Sequence, residues 1–336
     1  MPKDYSLDMD AIAAHLDRGW DLLHQGDLAG ARVSAGHILK INGESPEGHT
    51  LIGAIAAAEG DLDEAMESLR QAMDLDPEYL DALLYAAELA LHNLGDLEQG
   101  LKLCDEAAEL AVEPGDRIDI GLMRAEAHLL QGDRERASRE LKALPGPPFN
   151  DPAHALRAGR LHLEVGTVEA ATDLLAGALE DESCRADAHY FMGVALEQLE
   201  RPAEALEHFI EAREIDRAQP SPPWAVSEEQ LSAELRAIVK RFPHDLRERL
   251  ESLPMLVLDF PPVELVAEGF DPRGLIFISG FGHEHGGEPS RPTGVFVYKG
   301  NLEQAATSSA DLTQTLEQAL RQELELFLGG PVGAEG

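Results

Sequence analysis

A short signal recurs along the N-terminal two thirds of the sequence: a glycine, in most copies an aspartate directly after it, and a small residue five positions after the glycine. Its copies begin at Gly26, Gly60, Gly95, Gly132, Gly166 and Glu200, the last of which replaces the glycine. The steps between these starts are 34, 35, 37, 34 and 34 residues. A period this regular indicates an array of supersecondary units, each of which packs mainly against its neighbours.

Each position of the signal has a physical role in a pair of helices. Gly60 ends the first helix because glycine tolerates the left-handed backbone that a helix C-terminus often needs. Asp61 accepts a hydrogen bond from an unpaired backbone N–H at the start of the second helix. Ala65 is small and lets the two helices approach closely, and the large apolar Leu69 follows four positions later. Pro77 then stops the second helix, so the pattern predicts a series of helical hairpins.

These features resemble the tetratricopeptide repeat over roughly residues 8–218, and the copy at residues 46–79 matches it best. The resemblance implies a mostly α-helical protein, an α-solenoid of about six helical hairpins whose first helices form a concave groove. Such a groove holds a protein or peptide partner. We therefore expect a binding function for the repeats and no chemistry in them.

The resemblance also implies which side chains face the groove. The expected partner-binding positions are Tyr85, His92, Glu126, Arg160, Tyr190 and Glu197. Repeat proteins of this family that bind chaperone tails carry a cluster of Lys, Arg and Asn there, whereas Arg160 is the single basic residue in this set. We therefore expect no basic cluster and a different kind of partner. The alternative is a solvated groove without a fixed ligand.

The proline-rich segment at 219–225 ends the helical period and indicates a stiff boundary. It separates a repeat domain at 1–218 from a second domain at 226–330, which is followed by a tail at 331–336. The second domain reads as helix, helix, three strands and helix, which makes it a small α+β domain. Its predicted elements are a helix capped by Ser227, a short helix at 246–253, strands at 255–258, 274–278 and 294–298, and a last helix from about Leu312 to Leu328.

This order of elements, together with the phrases at 246–250, 257–265, 270–275 and 297–302, resembles the small zincin-like metallopeptidase family of bacteria. In that family the last helix carries a His-Glu-x-x-His segment. Its two histidines bind Zn²⁺ and its glutamate activates the zinc-bound water.

The metal ligands that this resemblance implies are missing from the sequence. Gln322 and Leu326 stand at the two histidine positions, and Val332 stands near the position of the third ligand. Glu323 alone remains of the catalytic set, and a leucine side chain has no atom that can bind a metal. The resemblance therefore implies a degenerate zincin-like domain with no peptidase activity, no catalytic residue and no cofactor.

One local cluster supports an alternative in which the protein is an enzyme. His283 and His285 stand two residues apart in a glycine-rich stretch, and on an extended strand both would face the same side. They could serve as displaced ligands of a zinc-dependent metallopeptidase whose repeats recruit the substrate. The simpler interpretation of this stretch is a surface loop.

Charge limits the classes of partner. The chain has 63 acidic and 27 basic residues, a net charge of −36, which disfavours nucleic acid and anionic membranes. The N-terminus has no apolar run of the kind found in signal peptides, and the two cysteines form no disulfide framework, so we expect a cytoplasmic protein.

Together these patterns predict a cytoplasmic adaptor or scaffold. Its repeats bind a protein or peptide, and its C-terminal domain is catalytically inactive. A further expectation, compatible with the first, is that the C-terminal domain docks on the last repeats, because a solenoid needs its final apolar face covered.

Overall fold

The structure, a computed structural model, describes residues 5–281 and 291–329. The chain divides into two compact units, Met1–Ala178 and Leu179–Gly336. The second unit contains the last pair of repeat helices together with everything that follows them. The predicted linker at 219–225 therefore lies within this unit, and the predicted domain limits stay a prediction.

The first unit consists of five successive helical hairpins. Its helices are α1 (Tyr5–His24), α2 (Leu28–Ile41), α3 (Pro46–Glu59), α4 (Leu62–Leu75), α5 (Leu80–Glu88), α6 (Leu97–Leu110), α7 (Pro114–Leu130), α8 (Arg134–Ala143), α9 (Pro152–Val165) and α10 (Val168–Ala178). A π-helical turn, Leu89–Asn93, extends α5. The solenoid of helical hairpins expected from the sequence is thus present.

At the turns of these hairpins the glycines and aspartates adopt the conformations and contacts predicted from the sequence. Gly26, Gly60, Gly95, Gly132 and Gly166 all have a positive φ, between 67° and 83°. The side chains of Asp27, Asp61, Asp96 and Asp133 each accept a hydrogen bond from a backbone N–H three residues further along. Glycine as helix terminator and aspartate as N-cap are therefore confirmed.

Close packing within a hairpin depends on pairing a small residue with a large one. Ala65 is fully buried, and a Cβ added to Gly53 on α3 would lie 2.7 Å from Cγ of Leu69 on α4. The same arrangement recurs between Gly159 on α9 and Leu175 on α10, again at 2.7 Å. The large apolar residue of the second helix thus fills the space that the missing side chain of the first helix leaves.

The π-helical turn accounts for one irregular step in the period. Gly95 follows Gly60 by 35 residues, one more than the regular 34. The additional residue is accommodated where the backbone N–H of Leu94 donates to the carbonyl of Leu89, five residues earlier, at 3.0 Å. A residue inserted into a helix commonly forms such a bulge, and these bulges are frequent at functional sites.

The second unit continues with one more hairpin and a small α+β part. Its elements are α11 (Arg185–Gln198), α12 (Pro202–Ala218), α13 (Glu228–Val239), α14 (His244–Glu251), β1 (Met255–Leu258), α15 (Val263–Ala267), β2 (Ile276–Phe281), β3 (Arg291–Tyr298), α16 (Lys299–Ala305) and α17 (Ser309–Leu328). The strands form one sheet in the order β1-β3-β2, with β1 parallel and β2 antiparallel to β3.

The three predicted strands and the helix capped by Ser227 are present. Ser227 Oγ accepts from the backbone N–H of Gln230, and Gln230 Oε1 accepts from the backbone N–H of Ser227. The predicted order of elements was incomplete, because it omitted α15 and α16. These helices have five and seven residues, too few for a periodic apolar pattern.

The core of this part lies between one face of the sheet and two helices. Along β2 and β3 the inward residues alternate, as a strand with one buried face requires. They are Ile276, Ile278, Val295 and Val297, and they pack with α13 and α17. On α17 the predicted apolar face is buried at Leu312, Leu316, Leu320 and Leu324.

Candidate functional site

A cavity of about 510 Å³ opens in the first unit, where the π-helical turn, α7, α8 and α9 meet. Three of the six predicted groove residues line it, and they come from three successive repeats. The full lining is His92, Glu126, Leu129, Leu130, Gly132, Arg134, Arg160, Leu161 and Glu164. The site combines charged side chains with exposed hydrocarbon, since Leu130 is 60% exposed.

Glu126 is the centre of this site. Its side chain is only 8% exposed and accepts hydrogen bonds from Arg157, through Nε at 2.9 Å and also through Nη2. Arg160 Nη2 donates to Oε1 at 2.9 Å, and His92 Nε2 lies 3.3 Å from Oε2. One buried carboxylate thus holds two guanidinium groups and an imidazole in fixed positions.

The cluster is charged at neutral pH. Burial raises the pKa of Glu126, but the hydrogen bond and charge of Arg157, with the charges of His92 and Arg160, outweigh burial and bring the pKa below its ordinary value. Burial likewise opposes the charge of Arg157, and its contacts with Glu126 still raise the Arg157 pKa. The contact between Glu126 and Arg157 is therefore an ion pair at neutral pH.

The absence of a basic cluster stays a prediction, although arginines from α8 and α9 meet at the cavity. Arg134 and Arg160 line it together with Glu126 and Glu164, and Arg157 lies beside it with the charges of Asp119 and Glu88 nearby. Arg157 precedes Arg160 by three positions, and residues with this spacing share a helix face. That spacing could have indicated the pair, whereas the approach of Arg134 depends on the packing of α8 against α9.

Tyr85, the fourth predicted groove residue, lies elsewhere in the first unit. Its ring stacks on that of Trp20 from α1, with centroids 5.1 Å apart and planes 17° apart. Burial, reinforced by the charges of Glu88 and Asp81, raises its pKa to about 12. Tyr85 is therefore part of an aromatic pair and does not line the cavity around Glu126.

The remaining two predicted residues, Tyr190 and Glu197, belong to the second unit. They line a cavity of about 120 Å³, whose other walls include Phe270 and Asp271 from the connection between α15 and β2. The Tyr190 hydroxyl donates to Asp271 Oδ2 at 3.0 Å. At these two positions the groove face of α11 contacts the protein's own chain.

Arg273 forms side-chain hydrogen bonds to both helices of the last hairpin in that region. Its Nη1 donates to Asp187 Oδ1 on α11 at 2.6 Å, and its Nε and Nη2 donate to the carboxylate of Asp216 on α12 at 2.8 and 3.1 Å. Its guanidinium also lies 4.7 Å from the centroid of the Tyr190 ring. Asp216 is buried, so this pair is screened little by water.

The positions that correspond to the metallopeptidase motif lie on α17. Gln322 and Leu326 face outward, with Leu326 69% exposed, while Glu323 is partly buried and burial raises its pKa. Within residues 5–281 and 291–329, no three or more His, Cys, Asp or Glu side chains are arranged to hold a metal ion. Val332, His283 and His285 fall outside these residues.

Among the helices of the described ranges, none has the length and apolarity that spanning a membrane would require.

Two segments of the chain match models of the tetratricopeptide repeat, residues 56–116 and residues 156–221. The chain therefore contains tetratricopeptide repeats. No curated protein matches the sequence. None of the comparisons supports the zincin-like resemblance of the C-terminal part.

Several solved structures are similar to the chain. PilF of Pseudomonas aeruginosa is 16% identical, with a TM-score of 0.52 over 63% of this chain and 95% of that chain. PilW, described as a type IV pilus biogenesis factor, is 15% identical, with a TM-score of 0.50 over 62% of this chain and 94% of that one. A chain of the APC/C hetero-tetramer Cut9–Hcn1 is 15% identical, with a TM-score of 0.50 over 60% of this chain and 39% of that one. At this identity the likeness concerns the fold.

Proposed function

We propose that this protein is an adaptor that holds an extended segment of a partner protein in the cavity around Glu126. The observation that carries the proposal is the convergence of His92, Arg157 and Arg160 on one buried carboxylate beside an open cavity. Proteins with this repeat generally mediate protein–protein interaction. A cluster that is fixed before binding costs little further ordering when a ligand arrives.

The chemistry of the lining defines the partner segment. Arg134 is exposed at the cavity and Arg160 is half-exposed there, and both attract a carboxylate. Glu126 already has Arg157 as a second cationic partner. Leu130 and Leu129 offer hydrocarbon beside them. The segment that fits best therefore carries an acidic side chain next to an apolar one.

Affinity capture with the full chain tests this function. The double variant Arg134→Glu, Arg160→Glu reverses the charge of the cavity, and Arg70→Glu makes the same change at an exposed position on α4. We expect partners that bind the wild type and Arg70→Glu to be lost from the double variant, whose folding is checked by circular dichroism. Equal recovery with all three proteins would contradict the proposal.

For the C-terminal part we propose a catalytically inactive zincin-like domain that docks on the last repeats. Its support is the chemistry of α17, where an amide and an exposed hydrocarbon replace the two histidines, together with the contacts of Arg273 to Asp187 and Asp216. The donor set does not fit a zinc ion. The α17 positions should accordingly hold no zinc, so Gln322→Ala with Glu323→Ala should leave the metal content of the purified protein unchanged by elemental analysis.

A second candidate function remains a zinc-dependent metallopeptidase that uses His283 and His285. The observation that favours it is Glu323, because burial raises its pKa in the direction that a general base requires. One tightly bound zinc per chain, lost in a His283→Ala, His285→Ala variant, would establish this candidate in place of the inactive domain. The adaptor function of the first unit does not depend on that outcome.

A further inference from the structure

Two histidines face each other across the last repeat hairpin. His189 lies on α11 and His208 on α12, and their Nδ1 atoms are 3.0 Å apart, so one Nδ1–H donates a hydrogen bond to the other Nδ1. The ring centroids are 5.0 Å apart and the planes are tilted by 40°. Both side chains are partly buried, so they are neither packed in the core nor freely moving at the surface.

Both imidazoles are held in the neutral form. Burial lowers the pKa of His189, and the neighbouring His208 and Arg185 lower it further, against the opposing charge of Glu211. Burial also lowers the pKa of His208, against the charges of Glu207 and Glu204. At neutral pH each ring therefore has one nitrogen without a proton, and a neutral imidazole nitrogen is the form that binds metals. A metal ion bound to both Nδ1 atoms replaces the hydrogen bond between them, and the donor ring then carries its proton on Nε2.

We propose that His189 and His208 form a binding site for one divalent transition-metal ion of the kind that prefers imidazole nitrogen, such as Ni²⁺ or Zn²⁺. Metal–imidazole bonds are about 2.0–2.1 Å long, so two nitrogens bound at a right angle lie about 2.9 Å apart, and about 3.3 Å apart in a tetrahedral site. The observed 3.0 Å falls within this range. Small rotations of the two rings bring both lone pairs onto one ion.

The remaining ligands of such an ion come from water and nearby carboxylates. Glu204 precedes His208 by one helical turn, and Glu211 follows it by three residues, so both share its face of α12. Glu204 is hydrogen-bonded to Arg201, and no cluster of three donors is preformed in the part of the chain that the structure describes. The site therefore binds more weakly than a structural site with four protein ligands.

Binding at this place would connect α11 to α12. This is the hairpin whose Asp187 and Asp216 hold Arg273, so the ion would stabilise the element on which the C-terminal part rests. A ligand that binds only the folded state raises the melting temperature, and the rise grows with the logarithm of the free ligand concentration once that concentration exceeds the dissociation constant. Metal binding is thus measurable both as heat and as a shift in melting temperature.

Calorimetric titration of the full chain with Ni²⁺ and with Zn²⁺ tests the proposal, with Mg²⁺ as a cation that prefers oxygen ligands. We expect one saturable site for the transition metals and none for Mg²⁺. In a His189→Ala, His208→Ala variant the affinity should fall at least tenfold. The single variant His208→Asn, which keeps a polar side chain of similar size, repeats the test if the double variant does not fold.

Two further pairs of histidines serve as matched controls. His15 and His37 also face each other across a hairpin, but their rings stack at 4.9 Å with planes 16° apart. Alanine at both should leave metal binding unchanged. Alanine at His283 and His285 should also leave it unchanged. Absence of saturable binding, or a site lost with His283 and His285 instead, would overturn the proposal.

Discussion

Glu126→Gln removes one charge from the candidate site and keeps the shape of the side chain. Loss of one partner of a buried ion pair generally costs about 3–5 kcal/mol, because the other charge stays buried and unpaired. Arg157 is the partner left in that state, with 28% of its side chain exposed. Arg160 and His92 are 43% and 37% exposed and can regain water. We therefore expect the free energy of unfolding to fall by about 2–3 kcal/mol.

The assay is urea unfolding followed by the fluorescence of a single tryptophan. The chain has two, Trp20 in the first unit and Trp224 in the second, so a Trp224→Phe background reports the first unit alone. Glu64→Gln is the matched control, because it breaks the ion pair with Arg32 where the glutamate is 40% exposed, and its cost should stay below about 1 kcal/mol. Equal losses of stability from Glu126→Gln and Glu64→Gln would show that the burial of Glu126 does not raise the cost of removing its charge.

The loss of stability caused by Glu126→Gln should also depend on pH. The pKa of Glu126 is lower in the folded protein than its ordinary value of 4.5, so the ion pairs contribute their stability fully above that value. This contribution is lost as the pH falls through the lower folded-state pKa. The difference in stability between wild type and Glu126→Gln should therefore shrink as the pH is lowered below about 4. A difference that is constant from pH 7 to pH 3 would show that the charge of Glu126 is not its cause.

Three other substitutions test the fold by urea unfolding. Glu200 has a φ of 59°, so Glu200→Gly should stabilise its hairpin by about 0.5–1 kcal/mol, and a loss would contradict the role of the turn. Gly159→Ala should lower the free energy of unfolding by about 1–3 kcal/mol, because the added methyl group overpacks the hairpin. Gly36→Ala should cause no such loss, because its Cβ would meet no atom within 4 Å. Arg273→Met should lower the free energy of unfolding by about 2–4 kcal/mol, because it leaves the buried carboxylate of Asp216 unpaired. Arg249→Met, at an exposed position, should leave it unchanged. Equal effects of the two substitutions would contradict the role of the Arg273 contact.

The helical hairpins could be predicted because their determinants are local. A glycine that must adopt a positive φ and an aspartate that must cap the next helix are visible at Gly60 and Asp61 without knowledge of the fold. Because the pattern recurs along the chain, the copies together support the assignment of hairpins more strongly than any single copy does. The extra residue before Gly95 was also visible, although its location in a π-helical turn depended on the packing of α5 and α6.

The candidate site was only partly predictable, because its residues come from separate helices. His92, Glu126 and Arg160 were expected at the groove from their positions in the first helices. Arg134 belongs to a second helix, and its approach to the cavity follows from the way α8 packs, which no local pattern encodes. For the same reason no local pattern indicated that Arg273, in a loop, would lie between two aspartates of α11 and α12.

Photo-crosslinking tests whether a partner segment binds in the cavity around Glu126. A photoreactive phenylalanine replaces Leu130 at the cavity, and in a second variant it replaces Val33 on α2 in the same unit. The native Leu130 and Val33 are 60% and 61% exposed. In the cells that naturally make this protein, we expect a crosslinked partner from position 130 and not from position 33, with loss of the product in the Arg134→Glu, Arg160→Glu variant. Crosslinks of equal yield from both positions, or from neither, would contradict binding in this cavity.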